Sequence, residues 1–427
     1  MPAVHLVTLR PGHFHAALIQ KEMLPGIDRC VHVYSPLDAD LLAHLGRIAA
    51  FNARAEAPTR WELEVHMGRD WLYRFRREKR GNVAILAGRN RTKIDLMTAA
   101  VEAGMHVLAD KPWIIEPEQL PKLEELLIAA ERAGVLVYDI MTERFEITSI
   151  LQKELVNDAD VFGEIIPGTP AEPAVTMESV HYLKKLVAGA PLRRPAWFFD
   201  IVEQGEALPD VGTHLVDLVM WMFFTREPID YQRDVQLLSA RRWPTRLSRE
   251  QFAQITGLTD FPGELSSVIR GDVLDYYCNT QVTYAPRGVH VKLDVLWDYE
   301  APPGGGDTHN AVFRGSRSRV EVRQAGGGKP ELHIVPEAHA DVDRALENRA
   351  RAWQSAHPGV GLERVGDAFH ISIPDALRSS HEAHFAEVLG QFLHYLETPA
   401  ALPAWERPQL LAKYFITTHG VARARES

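Results

Sequence analysis

The first 150 residues repeat one pattern: a short apolar run, an amphipathic stretch, then another apolar run. The clearest copies are punctuated by glycine. Val83–Ala87 (VAILA) reads as a strand and Thr92–Ala103 as a helix closed by Gly104. His106–Ala109 follows as a strand, Gln119–Ala133 as a helix closed by Gly134, and Val135–Tyr138 as a strand. Glycine ends a helix in the left-handed conformation without a Cβ penalty, so helix–Gly–strand marks a βαβ unit. Upstream, Val4–Leu9, Cys30–Tyr34 and Trp61–Val65 read as strands, with helices at Gly12–Met23 and Leu37–Phe51. Strands joined by helical crossovers run parallel, with helices on both faces. The predicted fold of this region is a Rossmann-like, doubly wound α/β sheet.

After about residue 150 the pattern changes. A helix over Asp210–Phe224 stands among β-like runs at Val273–Tyr284, Val289–Tyr299 and Arg319–Arg323. The loops Ala301–Asp307 (APPGGGD) and Ala325–Pro330 (AGGGKP) separate them. These read as an open, mostly antiparallel sheet, an α+β domain. Helices return at His381–Glu397 and Gln409–Arg423. The expected organisation is a dinucleotide-type domain over 1–145, a substrate domain over 146–380, and C-terminal helices over 381–427 packing on the body.

The charge balance excludes some functions. The 427 residues carry 47 Lys plus Arg against 57 Asp plus Glu, a formal charge of −10. An acidic chain lacks the basic face that nucleic acid needs. The short basic runs at Arg74–Arg80 and Arg314–Arg319 read as solvated surface. Two cysteines, Cys30 and Cys278, are too few for a disulfide framework. No apolar run approaches the roughly 20 residues of a membrane span. The expectation is a cytoplasmic protein with no membrane or nucleic-acid partner.

In a dinucleotide-binding sheet, the first turn carries glycines that let a pyrophosphate approach the backbone. Here that turn reads Arg10-Pro11-Gly12-His13-Phe14-His15, with Gly12 alone available. A helix N-terminus there still offers N–H groups and a positive dipole end, and Arg10 adds charge. The second strand ends at Ser35, where an acid would hold the ribose of NAD. Serine bonds a hydroxyl or a phosphate, so NAD and NADP both remain open.

The segment from Val83 to Pro112 carries more. It contains Asn90 in the turn after the strand, then Glu102-Ala-Gly-Met-His-Val-Leu and Asp110-Lys111-Pro112. A second run reads Asp210-Val-Gly-Thr-His214-Leu-Val-Asp217-Leu-Val-Met-Trp221. Together with Phe313–Val322, these resemble the glucose–fructose oxidoreductase / inositol dehydrogenase / MocA family. That family's T-P-N, E-K-P and D-x-G-x-H-x-x-D-x-x-x-W motifs occur in the same order. Here Asp110 stands for the glutamate of E-K-P. The departures are the glycine-poor first turn and the missing acid after the second strand, and both fall on cofactor binding.

The resemblance implies an NAD(P)-dependent oxidoreductase acting on a secondary alcohol or ketone of a sugar, glycoside or cyclitol, and a homo-oligomer, dimer or tetramer. It implies cofactor contacts from Arg10, Gly12, His13, Phe14, Ser35, Asn90, Asp110 and Lys111. The residues support a mechanism independently. On a helix Asp210, His214, Asp217 and Trp221 are spaced to share one face. A histidine with a carboxylate one turn away suits proton transfer near neutral pH. Lys111 follows a strand at its carboxyl end, where open α/β sheets bind ligands. His214, Asp210 and Lys111 are therefore the expected catalytic residues. Asp210 also suits the helix N-cap.

Further substrate contacts are expected from Asp217, Arg144, Tyr182, Trp197 and His309. Tyr182 and His181 cannot face the same way on a strand. Trp197 reads as a sugar-stacking wall or as core. His381-Glu-Ala-His384 lacks the spacing that places two histidines on one helical face, so no metal is expected. Two alternatives stay open: a redox-neutral lyase or glycosidase with tightly held NAD, and a non-catalytic sugar or nucleotide sensor on the same fold.

Overall fold

The computed structural model of the protein describes residues 3–187, 190–337 and 341–427. It divides into two compact units. The first holds the chain up to Thr142 with Val202–Gln204 and Ser380–Arg407. The second holds Glu143–Ile201, Gly205–Ser379 and Pro408–Ser427. The C-terminal segment is thus shared between them. Among the described residues no helix is long and apolar enough to cross a membrane.

The first unit is built on six parallel strands: β1 (Leu6–Leu9), β2 (Cys30–Ser35), β3 (Glu62–Met67), β4 (Val83–Leu86), β5 (His106–Asp110) and β6 (Val137–Ile140). Their order is β3-β2-β1-β4-β5-β6, the doubly wound arrangement, with the strand order reversing between β1 and β4. Every residue of β1 and β4 is buried, as apolar runs covered on both faces require. The helices α2 (Ala39–Ala53), α4 (Lys93–Glu102) and α5 (Leu120–Ala133) match the helical patterns in the sequence. Local chemistry sets their ends. The Leu41 N–H donates to the Asp38 carboxylate at the start of α2, and Gly134 closes α5 at φ 66°.

One element of this unit differs from expectation, and the basic run expected on the surface falls on a helix. The helix predicted over Gly12–Met23 is the single turn α1 (His15–Leu18). Its continuation is drawn off by side chains: the Gln20 carbonyl accepts from Trp61 Nε1 at 2.6 Å and the Lys21 carbonyl from Arg54 at 2.7 Å. The basic run near Arg74 lies largely on a helix, α3 (Trp71–Glu78), that buries Trp71 and Phe75 and leaves Arg76 and Arg77 in solvent.

The second unit carries a large mixed sheet. Its strands are β7 (Val175–Lys184), β10 (Val235–Ser248), β11 (Ile269–Arg270), β12 (Val273–Pro286), β13 (Val291–Glu300), β14 (Thr308–Arg314), β15 (Ser318–Arg323), β16 (Glu331–Pro336), β17 (Gly361–Val365) and β18 (Ala368–Ser372), while β8 (Leu186–Val187) and β9 (Ala190–Pro191) form a small ribbon. The order runs β10-β12-β13-β7-β14-β15-β16-β18-β17, with β11 on β12. Among the described residues of this sheet only β7 and β13 pair in parallel, so it is mostly antiparallel. Along β7, Val175, Met177, Ser179, His181 and Leu183 share one face, while Thr176, Glu178, Tyr182 and Lys184 share the other, by the two-residue period of a strand. The apolar members of the first set belong to the core that also contains the helices Ile147–Val156 and Thr213–Phe223.

The helix expected over Asp210–Phe224 begins earlier and is irregular. Leu208–Gly212 forms a π turn, and the α-helix proper is Thr213–Phe223. Asp210 lies inside the π turn and is not an N-cap, which corrects the capping role. Its own N–H donates back to the Glu206 carbonyl at 3.1 Å.

Candidate functional site

In the first unit the carboxyl end of β5 delivers Asp110 and Lys111, 4% and 9% exposed. The turn that carries them is held from below by Lys93. This lysine is 2% exposed and donates to the Asp110 carbonyl at 2.8 Å and the Pro112 carbonyl at 3.0 Å. Trp113 Nε1 adds a bond to the Ala109 carbonyl at 3.2 Å. A buried ammonium clamping two backbone carbonyls fixes where the next side chain starts, so Lys93 positions Lys111. The sequence reading missed Lys93. Its signal was a charged residue on the apolar side of a helix's first turn.

The Asp110 carboxylate faces two imidazoles of the β1–α1 turn. His15 Nδ1 donates to Oδ2 at 2.9 Å, and His13 Nδ1 lies 3.7 Å from the same oxygen. The His381 ring sits 5.9 Å from that of His15. The structure thus brings His13, His15 and Asp110 together beside Lys111 in the chain.

The same turn bears on the dinucleotide. Arg10 adopts φ 41°, the left-handed conformation usually filled by glycine. The N–H groups of Gly12 and His13 both donate to the Ala87 carbonyl, at 3.0 and 3.1 Å. They are therefore spent within the protein, and α1 is too short to supply the helix-end anion site that the sequence suggested. A Cβ on Gly88 would meet the Arg10 carbonyl at 2.6 Å and the Gly12 nitrogen at 3.1 Å, so the two crossover turns nearly touch. Thr8 Oγ1, Ser35 Oγ and Arg10 Nε are buried with no hydrogen-bond partner in the protein. They lie in β1, at the end of β2 and in the turn between them. Orphaned donors and acceptors at the carboxyl edge of a doubly wound sheet fit a polar ligand such as a dinucleotide. Asn90 has a structural task as well: its Nδ2 donates to the Gln204 carbonyl at 2.7 Å, while Oδ1 remains buried without a partner.

In the second unit the helix residues separate by role. His214 is half-buried, with Nδ1 in the interior. Asp217 is bound to Arg144, which donates from Nε at 2.6 Å and Nη2 at 2.8 Å, and to Lys413 Nζ at 3.0 Å. All three are buried. Burial alone would raise the Asp217 carboxyl, but the two cations hold it well below the usual carboxylate range. Asp217 and Arg144, both expected to meet substrate, are thus committed to each other. The Trp221 ring lies under Lys153 Nζ at 3.9 Å. Trp197 is 3% exposed and packs as core rather than standing as a wall.

The β7 face brings together groups that the sequence had left scattered. His181 Nδ1 donates to Asp307 Oδ2 at 3.1 Å, and Nε2 accepts from Ser179 Oγ at 2.8 Å. Lys185 also binds Asp307. Burial raises the Asp307 carboxyl, yet His181 and Lys185 hold it well below the ordinary value. The His181 ring stacks on Trp297 at 4.9 Å. His309 stands opposite Ser179 in the ladder and so shares its face. Burial pushes the His309 imidazole down, against the pull of Glu143. Arg194 is buried over Phe198 at 4.5 Å and Trp297 at 5.1 Å, with Asp210 among the charges acting on it. Tyr182 points to the other face, and only its backbone N–H reaches Asp307, at 3.2 Å. The spacing Ser179-x-His181 was legible as one strand face. Asp307 sits in a glycine-rich loop, and nothing in the sequence tied it to them.

Comparison with known proteins gives these arrangements a family. Residues 151–425 match the family described as "Putative oxidoreductase C terminal domain". A "putative oxidoreductase" from Parabacteroides merdae is 44% identical, with a TM-score of 0.96 over 99% of this chain and 98% of that one. More distant structures share the fold. A "putative myo-inositol dehydrogenase" from Sinorhizobium meliloti is 14% identical, covering 99% and 98% of the two chains at TM-score 0.57. The 3-ketoreductase KijD10 from Actinomadura kijaniata, in complex with NADP and TDP-benzene, is 16% identical over 97% and 95% at TM-score 0.56. No curated protein matches the chain. The chain belongs to the oxidoreductase family defined by this C-terminal domain, on the glucose–fructose oxidoreductase / inositol dehydrogenase / MocA fold.

Proposed function

We propose that the protein is an NAD(P)-dependent oxidoreductase acting at a secondary alcohol or ketone of a sugar, glycoside or cyclitol. The observation that carries this reading is Lys111, clamped by Lys93 at the carboxyl edge of a doubly wound sheet whose neighbouring strand ends hold orphaned polar atoms. The inositol dehydrogenase and the NADP-bound ketoreductase on the same fold support the substrate class and the cofactor.

Arg10, Thr8 and Ser35 would hold ribose and phosphate, with Asn90 Oδ1, Asp110 and Lys111 nearer the reacting end. When bound, the nicotinamide supplies the hydride acceptor or donor. Lys111 Nζ stabilises negative charge on the substrate oxygen as its proton leaves. His214 Nε2 takes that proton, and Asp210 favours the imidazolium that results. His181 is the second candidate acceptor. Its Asp307–His181–Ser179 chain orients the ring and offers a route for the proton from Ser179 Oγ to Nε2.

The test is calorimetric titration of ligand-free protein with NAD⁺, NADH, NADP⁺ and NADPH, followed by single-turnover absorbance with cyclitols and glycosides. Binding of one oxidised and reduced pair is expected, with reduction on addition of a polyol. No binding of any of the four forms removes this reading.

A further inference from the structure

We propose that His32, His66 and Glu64 form a binding site for a first-row divalent cation of the zinc type, on the β2–β3 face of the first unit. It uses none of the residues assigned above to cofactor or substrate. The register pairs His32 with Glu64 and Tyr34 with His66, so all four point to one face of the sheet. His32 Nδ1 lies 3.2 Å from His66 Nε2 and 3.3 Å from Glu64 Oε2. One ligand atom from each of the three residues falls within 4.8 Å of the others. Ligands about 2.0–2.2 Å from one zinc ion sit roughly 3–3.6 Å apart. Two imidazoles and a carboxylate also form a donor set suited to this class of metal.

Proton bookkeeping gives a second reason. Arg74 Nη2 donates to His66 Nδ1 at 3.0 Å, so the single proton of neutral His66 is on Nε2 and donates to His32 Nδ1. His32 Nδ1 is then an acceptor, and it faces the Glu64 carboxylate, another acceptor. A cation removes this conflict by taking a lone pair from each group. His66 bound through Nε2 then carries its proton on Nδ1, so Arg74 Nη2, 3.0 Å away, has to turn from that nitrogen and leave it to Glu78, whose Oε2 lies 3.8 Å off. Glu78 is itself held by the Tyr34 hydroxyl at 2.8 Å and Arg74 Nε at 3.0 Å. A carboxylate behind a metal-binding histidine is the usual support for such a ligand. Among the charges acting on the two rings, Glu64 and Glu78 favour a cation, while Arg74, Arg80 and His5 oppose it. The ion would fasten β3, the outermost strand of the sheet, to β2.

The experiment titrates chelator-treated full-length protein with Zn²⁺ by calorimetry and with Co²⁺ by visible absorption. Wild type is expected to bind one ion per chain. Glu64→Gln, at a largely exposed side chain that leaves the fold intact, should weaken binding at least tenfold. His32→Gln with His66→Gln should abolish it. Glu78→Gln should weaken it about 10–100-fold, the usual effect of losing such a support. Circular dichroism checks that each variant is folded. Wild type with no site tighter than the double variant overturns the proposal. So does binding that survives the double variant and disappears with His15→Gln, which would place the ion at the His13–His15–Asp110 cluster. The nicotinamide titration is read separately, so either proposal can fail alone.

Discussion

Arg10 holds a left-handed backbone at φ 41° where a dinucleotide turn ordinarily has glycine. For a residue with a Cβ this conformation costs about 1–2 kcal/mol, so the side chain has a compensating use. Its Nε is buried without a partner in the protein. Arg10→Gly should therefore raise the melting temperature while weakening nicotinamide binding. Nicotinamide binding that is unchanged or tighter would show that the guanidinium does not serve the ligand. Lys111→Ala should remove most turnover and leave the melting curve nearly unchanged, because its turn is fixed by Lys93. Retention of wild-type kcat on the identified substrate would remove Lys111 from the reaction. The place of Lys111 was legible because a residue directly after a parallel strand lies at the carboxyl edge of the sheet. Asp217 was misread because its partners Arg144 and Lys413 lie 73 and 196 residues away.

The π turn at Leu208–Gly212 is the element on which the second unit turns. A π turn adds one residue to the ring and rotates whatever follows, and such turns recur at functional sites. Helical spacing placed Asp210, His214, Asp217 and Trp221 on one stripe. The structure instead sends Asp217 to an ion cluster and Trp221 under Lys153. Of the four, His214 and Asp210 are the ones to which the proposed mechanism gives a chemical role. His214→Asn should then lower kcat roughly 10²–10⁴-fold with little change in cofactor affinity, the usual consequence of losing a positioned base. The wild-type oxidation rate should rise with pH through one ionisation, since neutral imidazole accepts the proton. Asp210→Asn should move that ionisation down, by removing charge that favours imidazolium. If His214→Asn is fully active and His181→Asn is not, the Asp307–His181 pair is the proton acceptor.

Across the whole molecule, carboxylates held by neighbouring cations set the response to acid. Asp217 and Asp307 are held well below the ordinary carboxylate range by the cations around them. A carboxylate whose folded pKa is depressed stabilises the fold above its unfolded value of about 3.9, and that contribution is lost as pH falls toward the folded value. Urea melts should show a stable plateau near neutrality and a steep decline below about pH 4. Asp217→Asn leaves Arg144 and Lys413 buried without their anion, which should cost about 3–5 kcal/mol at pH 6. The variant should also lose part of the wild type's acid slope. An unchanged slope would mean that the ion cluster contributes nothing to acid stability.

The sequence alone determined the parallel sheet of the first unit, the mostly antiparallel sheet of the second and the place of Lys111. These follow from local periodicity: apolar runs of strand length, amphipathic spacing and glycine at helix ends act within a few residues, so they can be read in order. Tertiary structure decided which polar groups meet. The Asp307–His181 bond spans 126 residues, and the His32–His66 contact spans 34. Side-chain pairing depends on strand register and on which loop returns to which face, and neither is encoded in the spacing around any single residue. The shortened α1 shows the same limit, because the Trp61 and Arg54 side chains that bind the Gln20 and Lys21 carbonyls just beyond it come from later in the chain.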